Sequence, residues 1–130
     1  MGYTRYWTRT DRPINQDVVD GVKEILDDCA RKGIAIRGPL GDGEPIVSLE
    51  KIAFNGNGEG TNDLSHEIFL IDEDNTWNFC KTARKPYDLA VRRVLVLLED
   101  YDIVKDVSSD GPNERICTDE EYIKGMCGWY

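Results

Sequence analysis

Trp77-Asn78-Phe79-Cys80-Lys81-Thr82-Ala83-Arg84-Lys85-Pro86-Tyr87-Asp88 reads as a strand, then a basic knot, then the start of a helix. The helix is the strongest periodic signal in the chain. Ala90, Val91, Val94, Leu95 and Leu98 recur at helical spacing, Leu97 broadens the apolar face, and Arg92 and Arg93 mark the wet side. Pro86 suits the first turn, where a missing N–H costs nothing, and Glu99-Asp100-Tyr101-Asp102 ends the pattern. A helix this apolar along one stripe needs a sheet or another helix to cover it.

Upstream, residues 2–9 alternate along a strand, with Tyr3, Arg5 and Trp7 on one face and Thr4, Tyr6 and Thr8 on the other. Asp11-Arg12-Pro13 turns the chain. Asn15 caps a helix over 16–31, where Val18, Val22, Ile25 and Cys29 form a stripe widened by Val19 and Leu26. Gly33 suits the left-handed residue after that helix. Ile34 to Arg37 is a short strand, and residues 38–45 form a loop rich in Gly and Pro. Ile46 to Phe54 reads as one or two strands with a break near Glu50, and 55–63 as a long turn. Asn55-Gly56 is a hairpin signal if the flanking strands pair.

Further along, Glu67–Ile71 and Trp77–Lys81 are strands separated by the charged turn Asp72-Glu73-Asp74-Asn75. Ile103–Val107 is another strand, followed by Ser108-Ser109-Asp110-Gly111. A short helix is expected from Thr118 to about Met126, with Glu121 at the capping-box position. No repeat or linker divides the pattern. The expected fold over 1–130 is a single α+β domain: a largely antiparallel sheet packed against two main helices, with a short C-terminal helix.

The chain has 130 residues and a formal net charge of −9, with 40% apolar and 32% charged residues. That composition fits an ordinary globular protein able to bury its own core. No apolar run approaches the roughly 18 residues of a membrane helix, and the N-terminus carries no apolar stretch of signal-peptide length. The acidic balance argues against duplex nucleic acid as a partner, because such binding draws its affinity from neutralised phosphates. Cys29, Cys80, Cys117 and Cys127 form no C-x-x-C pair, and His66 is the single histidine. The spacing predicts buried, reduced thiols, with no metal and no cofactor.

Against the acidic background, Lys81, Arg84 and Lys85 stand out as three cations at a strand-to-helix junction, a place suited to an anion. Thr82 would donate a hydrogen bond there, and Tyr87 would stack on a base or pack the pocket wall. The glycines of a P-loop are absent. Tyr3, Tyr6 and Trp7, together with Arg5, are candidates for a stacking wall for a nucleobase. His66 and Glu67 are neighbours on a strand, point to opposite faces, and so make a poor catalytic pair. Ser109 and Asp110 are candidates for a hydrogen-bonding rim; no G-x-S-x-G elbow accompanies Ser108 or Ser109. The chain presents no assembled catalytic set.

The opening Met1-Gly2-Tyr3-Thr4-Arg5-Tyr6-Trp7 resembles the start of a family of small uncharacterised bacteriophage and prophage proteins, with Arg5 where His is common. Ile52-Ala53-Phe54-Asn55-Gly56, His66-Glu67 with Phe69, and Val107 to Gly111 extend the likeness. Phe79-Cys80-Lys81-Thr82-Ala83-Arg84-Lys85-Pro86-Tyr87-Asp88 is its most specific stretch. The resemblance implies a phage accessory protein in the cytoplasm of an infected bacterium, where such proteins often counter host immunity. The expected function is non-catalytic sequestration of a small anionic ligand, a nucleotide-type immune signal. Two other expectations stand beside it: an acidic inhibitor that docks on a basic host defence protein, and a nucleotide-degrading enzyme with His66 as general base. A homo-oligomer is expected, since small binding proteins often build pockets between subunits.

Overall fold

The computed structural model describes residues 3–61, 63–73 and 78–110. Their elements run β1 (Thr4–Arg9), α1 (Gln16–Arg31), β2 (Ile36–Arg37), β3 (Ile46–Val47), β4 (Ile52–Gly56), β5 (Phe69–Ile71), β6 (Phe79–Lys81), α2 (Asp88–Asp100) and β7 (Val104–Ser109). The fold is α+β with antiparallel sheets, as the hydropathy pattern predicts. The C-terminal helix expected over 118–126, together with Trp77, Cys117 and Cys127, lies outside the described residues.

The strands form two sheets rather than one. In the first, β1 is central, with β6 and β7 on either side. In the second, β4 is the hub and pairs with β2, β3 and β5. The two sheets are tied where the segment before β5 meets β6: the Glu67 N–H donates to Lys81 O at 3.2 Å, and the Lys81 N–H donates to Glu67 Oε1 at 2.9 Å.

Local chemistry explains the ends of α1. Asn15 Oδ1 accepts the Val18 N–H at 2.9 Å, and Gly33 takes φ +87 just beyond the helix. The Asn55-Gly56 hairpin expectation fails. Both residues are buried within β4 and pair with Ile36 and Arg37. The tight connection lies instead between β3 and β4, where the Ser48 N–H donates to Lys51 O and Ser48 Oγ accepts from the Glu50 and Lys51 N–H groups. Gly56 has a different purpose. A Cβ there would sit 2.0 Å from Leu64 O and 2.9 Å from Tyr87 Cδ1, so the glycine admits close backbone approach. Asn55 ties the same region, its amide donating to Pro39 O and His66 O while its oxygen accepts the His66 N–H.

The core joins Trp7, Ile52, Phe54, Phe69 and Ile71 from the sheets to Val18, Val22, Val91, Leu95 and Leu98 from the helices. Phe69 packs between Trp7 and Phe54 with tilted rings, their centroids 5.2 and 4.9 Å away. Helices α1 and α2 pack closely because Gly21 leaves room: a Cβ there would lie 2.8 Å from a Leu97 methyl.

One ion pair also spans the helices. Asp28 Oδ2 accepts from Arg93 Nη1 at 2.7 Å, and Lys32 Nζ lies 3.2 Å from the same oxygen. The Arg93 hydrogen bond, followed by that of Lys32, lowers the Asp28 carboxyl from 3.8 to about 2. A depressed folded pKa adds stability above the unfolded value, and that contribution is lost as pH falls through the folded one. The stability difference between wild type and Arg93→Ala should therefore shrink between pH 5 and pH 2 as Asp28 protonates. Urea melts at several pH values would show it. A difference constant across that window would mean that the pair contributes nothing.

Candidate functional site

The basic knot folds as a strained turn. The Lys85 N–H donates to Thr82 O at 3.0 Å, and the two central residues, Ala83 and Arg84, take φ 53 and φ 58. Two left-handed non-glycine residues in succession cost on the order of 1–3 kcal/mol each and persist only where their surroundings over-determine them. Here they do. The Thr82 and Ala83 N–H groups both donate to Tyr3 O, at 2.9 and 3.2 Å. The Arg84 guanidinium lies 4.7 Å from the Tyr3 ring centroid, and Lys85 Nζ donates to Asp63 O at 2.8 Å.

The helix that follows starts at Asp88, two residues later than Pro86 suggests. Its N-terminal position is already filled by an anion, the Asp88 carboxylate itself, fully buried. Arg5 grips that carboxylate with two charge-assisted bonds, Nε to Oδ1 at 2.7 Å and Nη2 to Oδ2 at 2.8 Å. Thr82 Oγ1 donates to Oδ1 at 2.8 Å. The first-turn amides do not face a ligand either: the Asp88 N–H donates to Lys85 O and the Leu89 N–H to Pro86 O.

The sequence-selected residues therefore divide. Tyr3, Arg5, Trp7, Thr82 and Tyr87 are buried. The expected stacking wall is split by the strand: Tyr3, Arg5 and Trp7 form the inner face of β1, with the Arg5 guanidinium 5.4 Å from the Tyr3 ring centroid, and Tyr6 alone of the four is exposed, on the outer face. The Tyr87 hydroxyl donates to Glu67 O at 2.7 Å, so that ring is a strut between elements, its pKa raised by burial. Ser109 lies within β7 opposite Arg5, and Asp110 closes that strand, accepting the Thr4 N–H and the Tyr6 hydroxyl. The strand thus runs through Ser108 and Ser109, two residues beyond the expected end at Val107.

What remains at the surface is a cationic rim. Lys81 and His66 are exposed, and Lys85 and Arg84 are half-buried. Asp63 brings two of these charges together. Its carboxyl is held below its ordinary value first by hydrogen bonds from Ser65, and further by the charges of Lys85 and His66. Cys29 and Cys80 are buried free thiols, each with its pKa raised chiefly by burial. Among the described residues no group of three or more His, Cys, Asp or Glu gathers as a metal site, and no helix is long and apolar enough to cross a membrane.

A cleft of about 750 Å³ lies away from this rim, between the second half of α1 and the segments of β2 and β3, with Leu26 and Ile36 among its apolar lining. Lys23 and Arg37 face it together with Asp27 and Glu44, and Arg37 is already paired with Glu59 at 3.2 Å. Its mixed charge gives no preference for an anion, so this cleft is a poorer match than the rim to the chemistry of the basic knot.

Compared with known proteins, the chain matches no family model, no curated protein and no solved structure.

Proposed function

We propose that the protein binds a small anionic ligand of nucleotide type and holds it without converting it. The observation that carries this reading is the rim formed by exposed Lys81 and His66 with half-buried Arg84 and Lys85, on a chain of net charge −9. The strained Ala83–Arg84 turn supports it, because such backbone outliers concentrate at ligand sites. The resemblance to phage proteins implies a ligand of an infected bacterial cell, where lowering the free concentration of a nucleotide immune signal would blunt defence. Binding alone suffices for that outcome.

Lys81→Ala combined with Lys85→Ala should weaken the binding of pyrophosphate and AMP by about tenfold or more, since each charge-assisted bond is worth about 1.5–3 kcal/mol. Calorimetry on wild type and the double variant measures it, with the thermal midpoint as the control for folding. Equal affinities would remove the rim from consideration. Mass spectrometry of AMP after long incubation with catalytic amounts of protein should return it intact. Many turnovers of product, abolished by His66→Ala, would replace binding with hydrolysis.

A second reading has its own observation. Asp17, Asp20, Glu24 and Asp27 recur at helical spacing along exposed positions of α1. Such a stripe suits a basic protein partner, and capture of a host protein that Asp20→Lys with Glu24→Lys abolishes would favour this reading.

A further inference from the structure

The outer face of the β6–β1–β7 sheet carries an aromatic pair beside the rim. Register places Tyr6 directly opposite Phe79 on one side and Ser108 on the other. Directly opposed residues of an antiparallel pair share a face, with Cβ atoms about 4.5–5.5 Å apart. Tyr6 is 41% exposed and Phe79 38%, while their chain neighbours Arg5, Trp7 and Cys80 are buried on the other side. The next row of the same face holds Lys81 opposite Thr4, and the row beyond Tyr6 holds Thr8 opposite Lys105.

From this layout we infer that Tyr6 and Phe79 form a stacking platform for the nucleobase of the ligand, with Lys81 receiving its phosphate. The inference rests on the nucleotide-binding reading above and names the part of the ligand that the cationic rim leaves unread.

Three features favour a planar heterocycle over an apolar protein surface. The platform is small, two rings wide, and its flanks are lysines and hydroxyls rather than further apolar side chains. Tyr6 is held in place, its hydroxyl donating to Asp110 Oδ1 at 3.0 Å, so little rotamer freedom is lost when a base settles on it. Lys81 lies two residues from Phe79 on the same strand and face, about 7 Å along it, which suits the reach from a base across one sugar to its phosphate. Asp110 contributes the opposing charge at this edge, but its oxygens already accept the Thr4 N–H and the Tyr6 hydroxyl. Base stacking on an aromatic ring tolerates sequence, so affinity from this face would follow ring area more than base identity.

The test titrates AMP, pyrophosphate and single-stranded oligodeoxyadenylate into wild type, Tyr6→Leu, Phe79→Leu and Lys81→Ala. Calorimetry gives affinities, and amide chemical shifts give location. Phe79→Leu and Tyr6→Leu should each weaken AMP about fivefold or more and leave pyrophosphate unchanged. Lys81→Ala should weaken both. The ring-keeping changes Tyr6→Phe and Phe79→Tyr should retain AMP affinity, which separates stacking from loss of structure. Shifts on AMP addition should centre on Tyr6, Phe79 and Lys81.

Oligodeoxyadenylate binding no tighter than AMP would identify a free nucleotide as the ligand. Binding far tighter, still lost in Phe79→Leu, would identify a single strand read by the same platform. AMP affinity unchanged in both leucine variants overturns the platform, and it leaves the rim standing if Lys81→Ala still weakens pyrophosphate. Wild type that binds neither AMP nor pyrophosphate overturns both.

Discussion

Asp88→Ala should destabilise the protein by about 3–5 kcal/mol, because it leaves the Arg5 guanidinium buried without its counter-charge. Arg5 is 3% exposed and Asp88 fully buried, so water can replace the lost carboxylate only if the structure opens. The same substitution orphans the Thr82 hydroxyl, which donates to Asp88 Oδ1. A comparison separates this penalty from the net worth of the pair. Arg5→Met combined with Asp88→Leu removes both charges and fills the space, and such replacements are often neutral or stabilising. Urea unfolding should rank the single variant lowest and the double variant well above it. A single variant within 1 kcal/mol of wild type would show that Arg5 reaches solvent or another carboxylate.

Phe69→Ala should cost about 3–5 kcal/mol, the range for deleting a buried aromatic ring. Phe69 is fully buried and contacts Trp7 of one sheet and Phe54 of the other. The resulting cavity sits at the junction of the sheets, where each neighbour is held by its own ladder and cannot collapse inward. Phe69→Leu should retain roughly half of the loss. Chemical denaturation with an unchanged m-value would measure it, and a loss below about 1.5 kcal/mol would place the junction outside the structural centre.

The helices were legible because their signals are local. Asn15, the apolar stripe of α1 and Gly33 each act on residues within about a turn of themselves, and the structure uses all three as the spacing predicts. The strands were legible as segments but not as partners. Alternation along β1 separates Tyr3, Arg5 and Trp7 from Thr4, Tyr6 and Thr8, yet it does not say which set faces inward. Three large side chains pointed to one choice for core and one for ligand, and the core took them. Tyr6 and Phe79 become neighbours only through strand pairing across more than seventy residues, which no short window contains.

Asn55-Gly56 failed for the opposite reason. A strong local turn signal gave way to a tertiary demand, the approach of the Leu64 carbonyl to Gly56. The Asp88 carboxylate was visible in the basic stretch itself. An aspartate at a helix start supplies that N-terminus with its own anion, but nothing local marks Arg5 as its partner 83 positions away.

The position of β1 has a consequence for how the chain is made. This strand is the centre of its sheet, yet among the described strands it leaves the ribosome first, and its β7 neighbour leaves last. The Thr4 amide bonds a residue 106 positions later, and Arg5 meets its carboxylate 83 positions later. Such distant closure raises contact order and slows folding. Through most of synthesis, the nascent polypeptide would carry a strand with two open edges, a bare Trp7 and an unmatched arginine, the features that chaperones recognise and that promote misassembly.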